Sequence, residues 1–359
     1  MEPVEAIVLV GGQGTRLRPL TTSTPKPLLQ AAGVPFIAHQ LARAAASGVV
    51  RAVLATSYRA DMFQTGLGDG SAFGLGLDYV MEETPLGTGG GIRNAASRLT
   101  CKADDPVLVL NGDILSGHDI GAQLNAHRAA DATVTLHLVE VADPSRFGCV
   151  PTDPSGRVTA FLEKTPNPVT NRINAGCYVF QRRAIDRIPL GRVVSVERET
   201  FPGFIESGTP VFGFADRSYW LDVGTPEAFV SASRDLVLGR LGSPAMPGPC
   251  GEALVLPGAT VDPTAKVADG TVIGAGSVVA PGARIRGSVL LDDVTVATGA
   301  VITGCMLGKG VEIGEGAVLD QAFIGDGAVI GPGNELRHGI RIWPRARLAP
   351  QTVRFSTDA

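Results

Sequence analysis

Three cationic side chains follow a glycine-rich turn near the start of the chain. Arg16 and Arg18 lie in Val10-Gly11-Gly12-Gln13-Gly14-Thr15-Arg16-Leu17-Arg18-Pro19-Leu20, and Lys26 stands between Pro25 and Pro27. Bare glycines let backbone N–H groups come close to a ligand, and a phosphate-sized anion suits such a turn. The guanidinium and ammonium groups supply the positive charge that anion needs. The two prolines fix φ on either side of Lys26, so the lysine leaves a stiff extended segment. A second candidate is Asn111-Gly112-Asp113, which closes an apolar run at residues 107–110. In α/β folds a carboxylate at the carboxyl end of a parallel strand points into the binding crevice. Reactions of triphosphates use Mg²⁺ held by one or two carboxylates, with phosphate oxygens filling further positions. Asp113 is therefore the first candidate metal ligand.

Strand-like and helix-like stretches alternate around these groups. Residues 6–10 are apolar without a polar break, as a buried parallel strand requires. Further strands are expected near 49–55, 78–81, 107–110, 133–139 and 177–180, with helices near 35–47, 91–98 and 120–130. The alternation predicts an α/β catalytic domain over 1–238, a Rossmann-like, doubly wound and mainly parallel sheet. Residues 239–252, beginning Gly-Arg-Leu-Gly-Ser-Pro, read as a linker.

After the linker the texture changes. Val255, Val261, Val267, Ile273, Val279 and Ile285 stand six apart; the register slips by one and resumes at Leu290, Val296 and Ile302. It slips again before Leu307, Ile313 and Leu319, and once more before the run from Ile324 to Leu348. A six-residue apolar period marks a parallel β-helix whose hexads form the faces of a triangular coil. A left-handed β-helix of roughly five coils is expected over 253–350, with a tail at 351–359. Acyltransferases built on such repeats use a histidine base, and the repeat contains a single histidine, His338. A scaffold and assembly surface is the preferred reading.

Composition narrows the function classes. The 359 residues carry a net charge of −4 and no basic tract, which argues against a nucleic-acid partner. There is no signal-like leader and no apolar run of membrane-spanning length, so a cytoplasmic protein without a membrane partner is expected. Cys101, Cys149, Cys177, Cys250 and Cys305 are odd in number and lack C-x-x-C spacing, as fits reduced thiols.

The glycine turn is not a P-loop, since no Lys-Ser or Lys-Thr follows it, and Leu17 replaces the third glycine of a dinucleotide fingerprint. It resembles the G-x-G-T-R-L-x-P-L-T…P-K-P signature of sugar-1-phosphate nucleotidyltransferases. Later segments resemble the same family: Leu86-Gly87-Thr88-Gly89-Gly90, Phe147-Gly148-Cys149, Phe161-Leu162-Glu163-Lys164, Asn174-Ala175-Gly176-Cys177-Tyr178 and Trp220-Leu221-Asp222-Val223-Gly224-Thr225-Pro226. Gly89, where the commoner form has alanine, and Gly91 leave the choice of base open. The segment Ser195-Val196-Glu197-Arg198-Glu199-Thr200-Phe201-Pro202 is similar to the mannose-1-phosphate guanylyltransferase branch, though related bacterial branches approach it too.

The resemblance implies nucleotide contacts from Val10, Gly11, Gly12, Gly14, Thr15, Glu83, Leu86, Gly87, Thr88 and Gly112. It places the sugar phosphate on Gly148, Glu163, Lys164, Asn174 and Ala175, and adds Asp222 to Asp113 as a Mg²⁺ ligand. Arg16, Lys26 and Lys164 become the catalytic cations. Arg198 fits either a phosphate partner or a salt-bridged helix cap. The implied reaction joins an NTP to a sugar 1-phosphate with release of pyrophosphate, GTP and mannose 1-phosphate being the first choice. UTP, dTTP or GTP with glucose 1-phosphate or a cyclitol 1-phosphate is the alternative, and a noncatalytic nucleotide-sugar-binding subunit the second. A homo-oligomer is expected.

Overall fold

The computed structural model describes residues 3–56 and 59–354; the end of the expected tail, 355–359, lies outside the described residues. The chain forms two compact units, one of residues 1–12 and 40–220, the other of 13–39 and 221–359.

The first unit is built on a nine-stranded sheet. Its centre is β1 (Val4–Leu9), paired in parallel with β2 (Val49–Thr56) on one side and β4 (Pro106–Asn111) on the other; β3 (Gly76–Met81) extends the β2 side. The strands pair because their Val, Ile, Leu and Ala side chains have no other way to leave water on both faces. Helices α1 (Phe36–Ala46) and α2 (Ala60–Leu67) precede α3 (Gly87–Ala95), which packs on β1 and β2 and begins four residues before the expected helix. Helix α4 (Ile120–Ala129) starts at Asp119, whose carboxylate accepts from the Ala122 amide, and α5 (Phe201–Glu206) comes later in the chain. The far half of the sheet is mixed. Strand β8 (Arg172–Gln181) runs antiparallel to both β4 and β5 (Val134–Glu140), and β9 (Val211–Asp216) adds in parallel to β5. The short strands β6 (Gly148–Cys149) and β7 (Leu162–Glu163) continue from β8.

Because the chain leaves β1 to one side and returns to β4 on the other, the carboxyl ends of these two strands flank a topological switch point.

The second unit is the left-handed parallel β-helix with residues 13–39 and α6 (Pro226–Val237) on its outside. Its three parallel sheets hold six, six and five strands. The register slips follow from coil length. Ile273 pairs with Leu290 and then Leu307 and Ile324, seventeen apart, whereas Val255 pairs with Ile273 and Ile324 with Ile342, eighteen apart. The variable corner lies after Val267, Ile285, Ile302, Leu319 and Leu336. Short corners turn on one left-handed residue, Gly287, Gly304 or Gln321; long ones use two, Asp269-Gly270 and His338-Gly339. The position of His338 is thus accounted for by the extra residue of a long corner.

Inside the coil, Ile, Leu and Val stack coil upon coil, interleaved with smaller residues such as Ala283, Ala300 and Ala317. The next position in that last ladder is Asn334, fully buried. Its amide donates to the carbonyls of Gly331 and Ala349, and its Oδ1 accepts from the Val353 amide. A polar residue here satisfies backbone groups at the end of the stack. Among the described residues, no helix is long and apolar enough to cross a membrane.

Candidate active site

The candidate residues divide between the two units. Val10–Gly12, Glu83, Leu86–Thr88, Gly112, Asp113, Gly148, Glu163, Lys164, Asn174 and Ala175 belong to the first; Gly14, Thr15, Arg16, Lys26 and Asp222 belong to the second.

In the first unit the switch point is closed by hydrogen bonds between strand ends. The Val10 amide donates to Ala55 O at 3.0 Å, and the Gly112 amide donates to Leu9 O at 2.9 Å. Gly112 cannot carry a side chain: a Cβ would sit 2.5 Å from Leu9 O and 2.7 Å from Val10 Cγ1. The glycine lets β1 and β4 end side by side, with Asp113 leaving the tip of β4. By contrast, a Cβ on Gly12 would meet nothing within 4 Å. That backbone is open to a ligand. Beside Asp113, the buried Oδ1 of Asn111 has no partner among the described residues.

The glycines of α3 also have a packing role. Gly89 and Gly90 donate their amides to Val194 O, and a Cβ on Gly90 would lie 2.5 Å from Arg192 O. A Cβ on Gly91 would lie 2.7 Å from Glu82 Oε1. These three allow close packing of residues 192–194 and Glu82 against the helix. Thr88 ties the same helix to the segment Val196–Thr200: its hydroxyl donates to Glu197 at 2.6 Å and accepts from the Val196 amide at 2.9 Å. Glu83 and Gly87 are exposed, and Leu86 and Thr88 half-buried. Ser195 caps the segment by accepting from the Arg198 amide, so the cap belongs to Ser195 and the Arg198 backbone.

The far side of the first unit is organised by a residue to which the sequence reading gave no role. Tyr178 is fully buried, and its hydroxyl accepts from Asn174 Nδ2 at 2.9 Å and from Asn111 Nδ2 at 3.5 Å. Asn174 also accepts from the Gly176 amide, across the point where the register of β8 shifts against β5. The N-A-G segment is therefore a bulge, a device that re-aims side chains next to sites. The signal lay in the motif itself, whose last residue is the tyrosine. Ala175 is buried, and its carbonyl accepts from Trp220 Nε1 at 2.9 Å.

Gly148 makes room for Glu163, whose Oε2 lies 2.9 Å from the place of a glycine Cβ. Burial raises the carboxyl pKa of Glu163, the negative charge of Glu197 adds to the rise, and Lys164 and Arg198 oppose it. Lys164 Nζ lies 3.8 Å from Glu163 Oε1 and is mostly exposed. Its backbone is left-handed at φ 49°, unusual for a residue with a Cβ, while its amide donates to Phe147 O at 3.1 Å. Glu163, Lys164, Glu197 and Arg198 thus form a mixed-charge group.

In the second unit the signature turn is held on itself. Gly14 adopts a left-handed conformation, its carbonyl accepts from the Leu17 amide and the Thr21 hydroxyl, and a Cβ there would lie 3.1 Å from Lys26 Cβ. Thr15 and Arg16 are exposed; Lys26 is buried at 7% exposure. The Asp-x-Gly-Thr-Pro segment has a clear division of labour. Thr225 caps α6 by accepting from Ala228, with Pro226 in its first turn. Gly224 leaves space for Arg16: a Cβ there would lie 3.0 Å from Arg16 Nη2 and 3.2 Å from Asp222 Oδ1. Arg16 and Asp222 both lie against that glycine.

The carboxylates Asp113 and Asp222 are hard oxygen donors, one in each unit. Among the described residues there is no group of three His, Cys, Asp or Glu side chains that could cage an ion. A carboxylate of this kind suits a divalent ion that takes further ligands from phosphates and water.

Comparison with known proteins agrees with this layout. The nucleotidyl transferase family profile matches residues 5–237, and that of the GMPPB C-terminal domain matches residues 250–344. The chain is 56% identical over 356 residues to a mannose-1-phosphate guanylyltransferase of Mycobacterium tuberculosis, covering 99% of this chain and 98% of that protein. It is 36% identical over 269 residues to a mannose-1-phosphate guanyltransferase of Gibberella zeae, covering 74% and 73%. The crystal structure of HddC from Yersinia pseudotuberculosis superposes with a TM-score of 0.55 at 28% identity, covering 65% of this chain and 99% of that one. Nucleotidyltransferases of this kind work with a divalent metal. The chain is a member of the nucleotidyl transferase family, an enzyme of the sugar-1-phosphate nucleotidyltransferase type.

Proposed function

We propose that this enzyme makes GDP-mannose and pyrophosphate from GTP and mannose 1-phosphate, with residues 1–238 as catalytic domain, 239–252 as linker and 253–350 as the β-helix. The observation that carries the reading is the switch point itself. There an open glycine backbone at Gly12 and a carboxylate after Gly112 leave adjacent strand ends, as nucleotide chemistry on an α/β sheet needs. The full-length similarity to a mannose-1-phosphate guanylyltransferase supports the choice of substrates.

The sugar phosphate is already an anion and needs no general base, so catalysis reduces to alignment and charge neutralisation. Its oxygen attacks the α-phosphorus, the new P–O bond forms in line, and pyrophosphate leaves opposite. Arg16 offsets charge on the leaving phosphates; Lys26 and Lys164 do so on the attacking side. Val10, Gly11, Gly12, Gly14, Thr15 and Gly112 receive the nucleotide phosphates and sugar, with Glu83, Leu86, Gly87 and Thr88 beside the base. Gly148, Glu163, Asn174 and Ala175 receive the mannose. Asp113 and Asp222 hold Mg²⁺, which when bound supplies neutralising charge on the phosphates. The five free thiols fit a cytoplasmic place of work, and the outer faces of the β-helix suit a homo-oligomer.

The test is pyrophosphate release with Mg²⁺ across a grid of NTPs and sugar 1-phosphates. A maximum at GTP and mannose 1-phosphate is expected. A maximum at UTP or dTTP, or at glucose 1-phosphate or a cyclitol 1-phosphate, moves the enzyme to that substrate pair. Silence across the grid with retained nucleotide binding points to a noncatalytic subunit.

A further inference from the structure

We propose that the last coil of the β-helix belongs to the catalytic apparatus, with Arg341 as the residue that positions the signature turn. The inference rests on the nucleotidyltransferase reading for its consequence and on geometry for its substance. On the sheet that carries Arg341 (strand Arg341–Ile342), Ile342 faces the core and Arg341 faces outward. The outward positions in register above it, coil by coil, are Phe323, Met306, Val289 and Val272. All four are buried, because this face of the β-helix is covered.

The cover is α6 and the segment that carries the signature. Helix α6 packs on the upper strands of this sheet. Further down, Gln30 Nε2 donates to Asp292 at 3.3 Å and Ser23 Oγ donates to Asp326 at 2.5 Å. At the last coil the apolar row ends and an arginine takes its place. Its Nη1 donates to Arg16 O and to Arg18 O, both at 2.9 Å. These carbonyls stand at the tight turn formed by Thr15–Leu17, whose own bonds leave them in need of donors. A guanidinium that bridges two carbonyls fixes their separation and direction, which a single contact cannot do.

The consequence runs through Arg16. Its backbone is held by Arg341, and its side chain reaches the point over Gly224 where Asp222 Oδ1 also lies. Anchoring the Arg16 carbonyl therefore sets where its guanidinium stands relative to Asp222. The domain that looks like an assembly scaffold reaches into the site through its final coil.

The experiment uses the full-length protein and compares Arg341→Ala, Arg341→Lys and, on another sheet of the same coil, Arg347→Ala. Hydrogen exchange without substrate is the first readout. The amides of Leu17, Arg18, Leu20 and Thr22 are bonded within the turn. They should exchange at least tenfold faster in Arg341→Ala, while the β-helix amides of Val301 and Val318 keep their protection. The second readout is pyrophosphate release. Arg341→Ala should lose tenfold or more in kcat/KM for GTP with KM for mannose 1-phosphate within twofold of the parent. Arg341→Lys should recover part of that loss, and Arg347→Ala should match the parent. Unchanged exchange in the turn, or equal losses in Arg341→Ala and Arg347→Ala, overturns the inference. A parent protein that turns over no substrate pair refutes the proposed reaction instead, and the exchange comparison still decides whether Arg341 holds the turn.

Discussion

Replacing Gly112 by alanine tests how closely the switch point depends on two strand ends touching. The new Cβ would lie 2.5 Å from Leu9 O, on a central strand that cannot retreat cheaply, and 2.7 Å from Cγ1 of Val10, which follows that strand. Reaching an ordinary contact near 3.5 Å means parting β1 and β4 by about 1 Å at their tips. Overpacking of this kind costs about 1–3 kcal/mol, and losing the Gly112 N to Leu9 O hydrogen bond adds about 1 kcal/mol. A total of about 2–4 kcal/mol lowers Tm by roughly 5–15 °C for a unit of this size. Asp113 is carried along, and a displacement near 1 Å should lower kcat about a hundredfold. The control is Gly12→Ala, whose Cβ meets no protein atom within 4 Å. It should leave Tm within about 1 °C yet raise KM for the nucleotide about tenfold, because only the ligand is in its way. Calorimetry and a coupled pyrophosphate assay on both variants read these quantities. A Gly112→Ala enzyme with near-parent Tm and kcat would falsify the account, as would a Gly12→Ala protein that unfolds early.

Asp113→Ala should abolish nearly all turnover and weaken Mg²⁺ dependence while leaving the fold intact; kcat near the parent value would exclude it as a metal ligand. Asn334→Ala removes two donated bonds and one accepted bond at the end of the β-helix, so a loss of about 2–3 kcal/mol and early exchange of the last coil are expected in denaturant and exchange measurements. Glu5 should make the first unit acid-labile. Burial alone would raise its pKa, but the Thr100 hydroxyl and the Thr100 and Cys101 amides outweigh burial and hold it at about 2. Its contribution, on the order of 3 kcal/mol, is present above pH 4.5 and lost as pH falls toward 2, and Glu5→Gln should flatten that part of the stability profile. Buried His127 acts at milder pH. Desolvation lowers its pKa to about 4, so stability falls as pH drops from 6.5 toward 4, and His127→Gln should remove that slope.

The sequence alone determined the parts whose signals are local. An unbroken apolar run fixes a buried strand, and a six-residue period fixes a β-helix; even the register slips were legible, because each core position must face inward once per side of the coil. The fixed order of the nucleotidyltransferase motifs identified the family, since glycine spacing and charged residues survive as a string. What the string could not give was the reason behind several of its letters. Nothing in Gly89, Gly90 and Gly91 as a string says that residues 192–194, distant in sequence, and Glu82 pack against them. The bonds of the Asn174 amide to Tyr178 and Gly176 are equally hidden from the string, because they cross a bulge that exists only once β8 pairs with β5. Arg341 belongs to no motif of the sequence. Its bonds to Arg16 and Arg18 span 325 and 323 positions, and no local pattern encodes a contact that only chain packing creates. Local periodicity is written in neighbours along the chain, whereas close approach between distant segments is decided by which surfaces must leave water together.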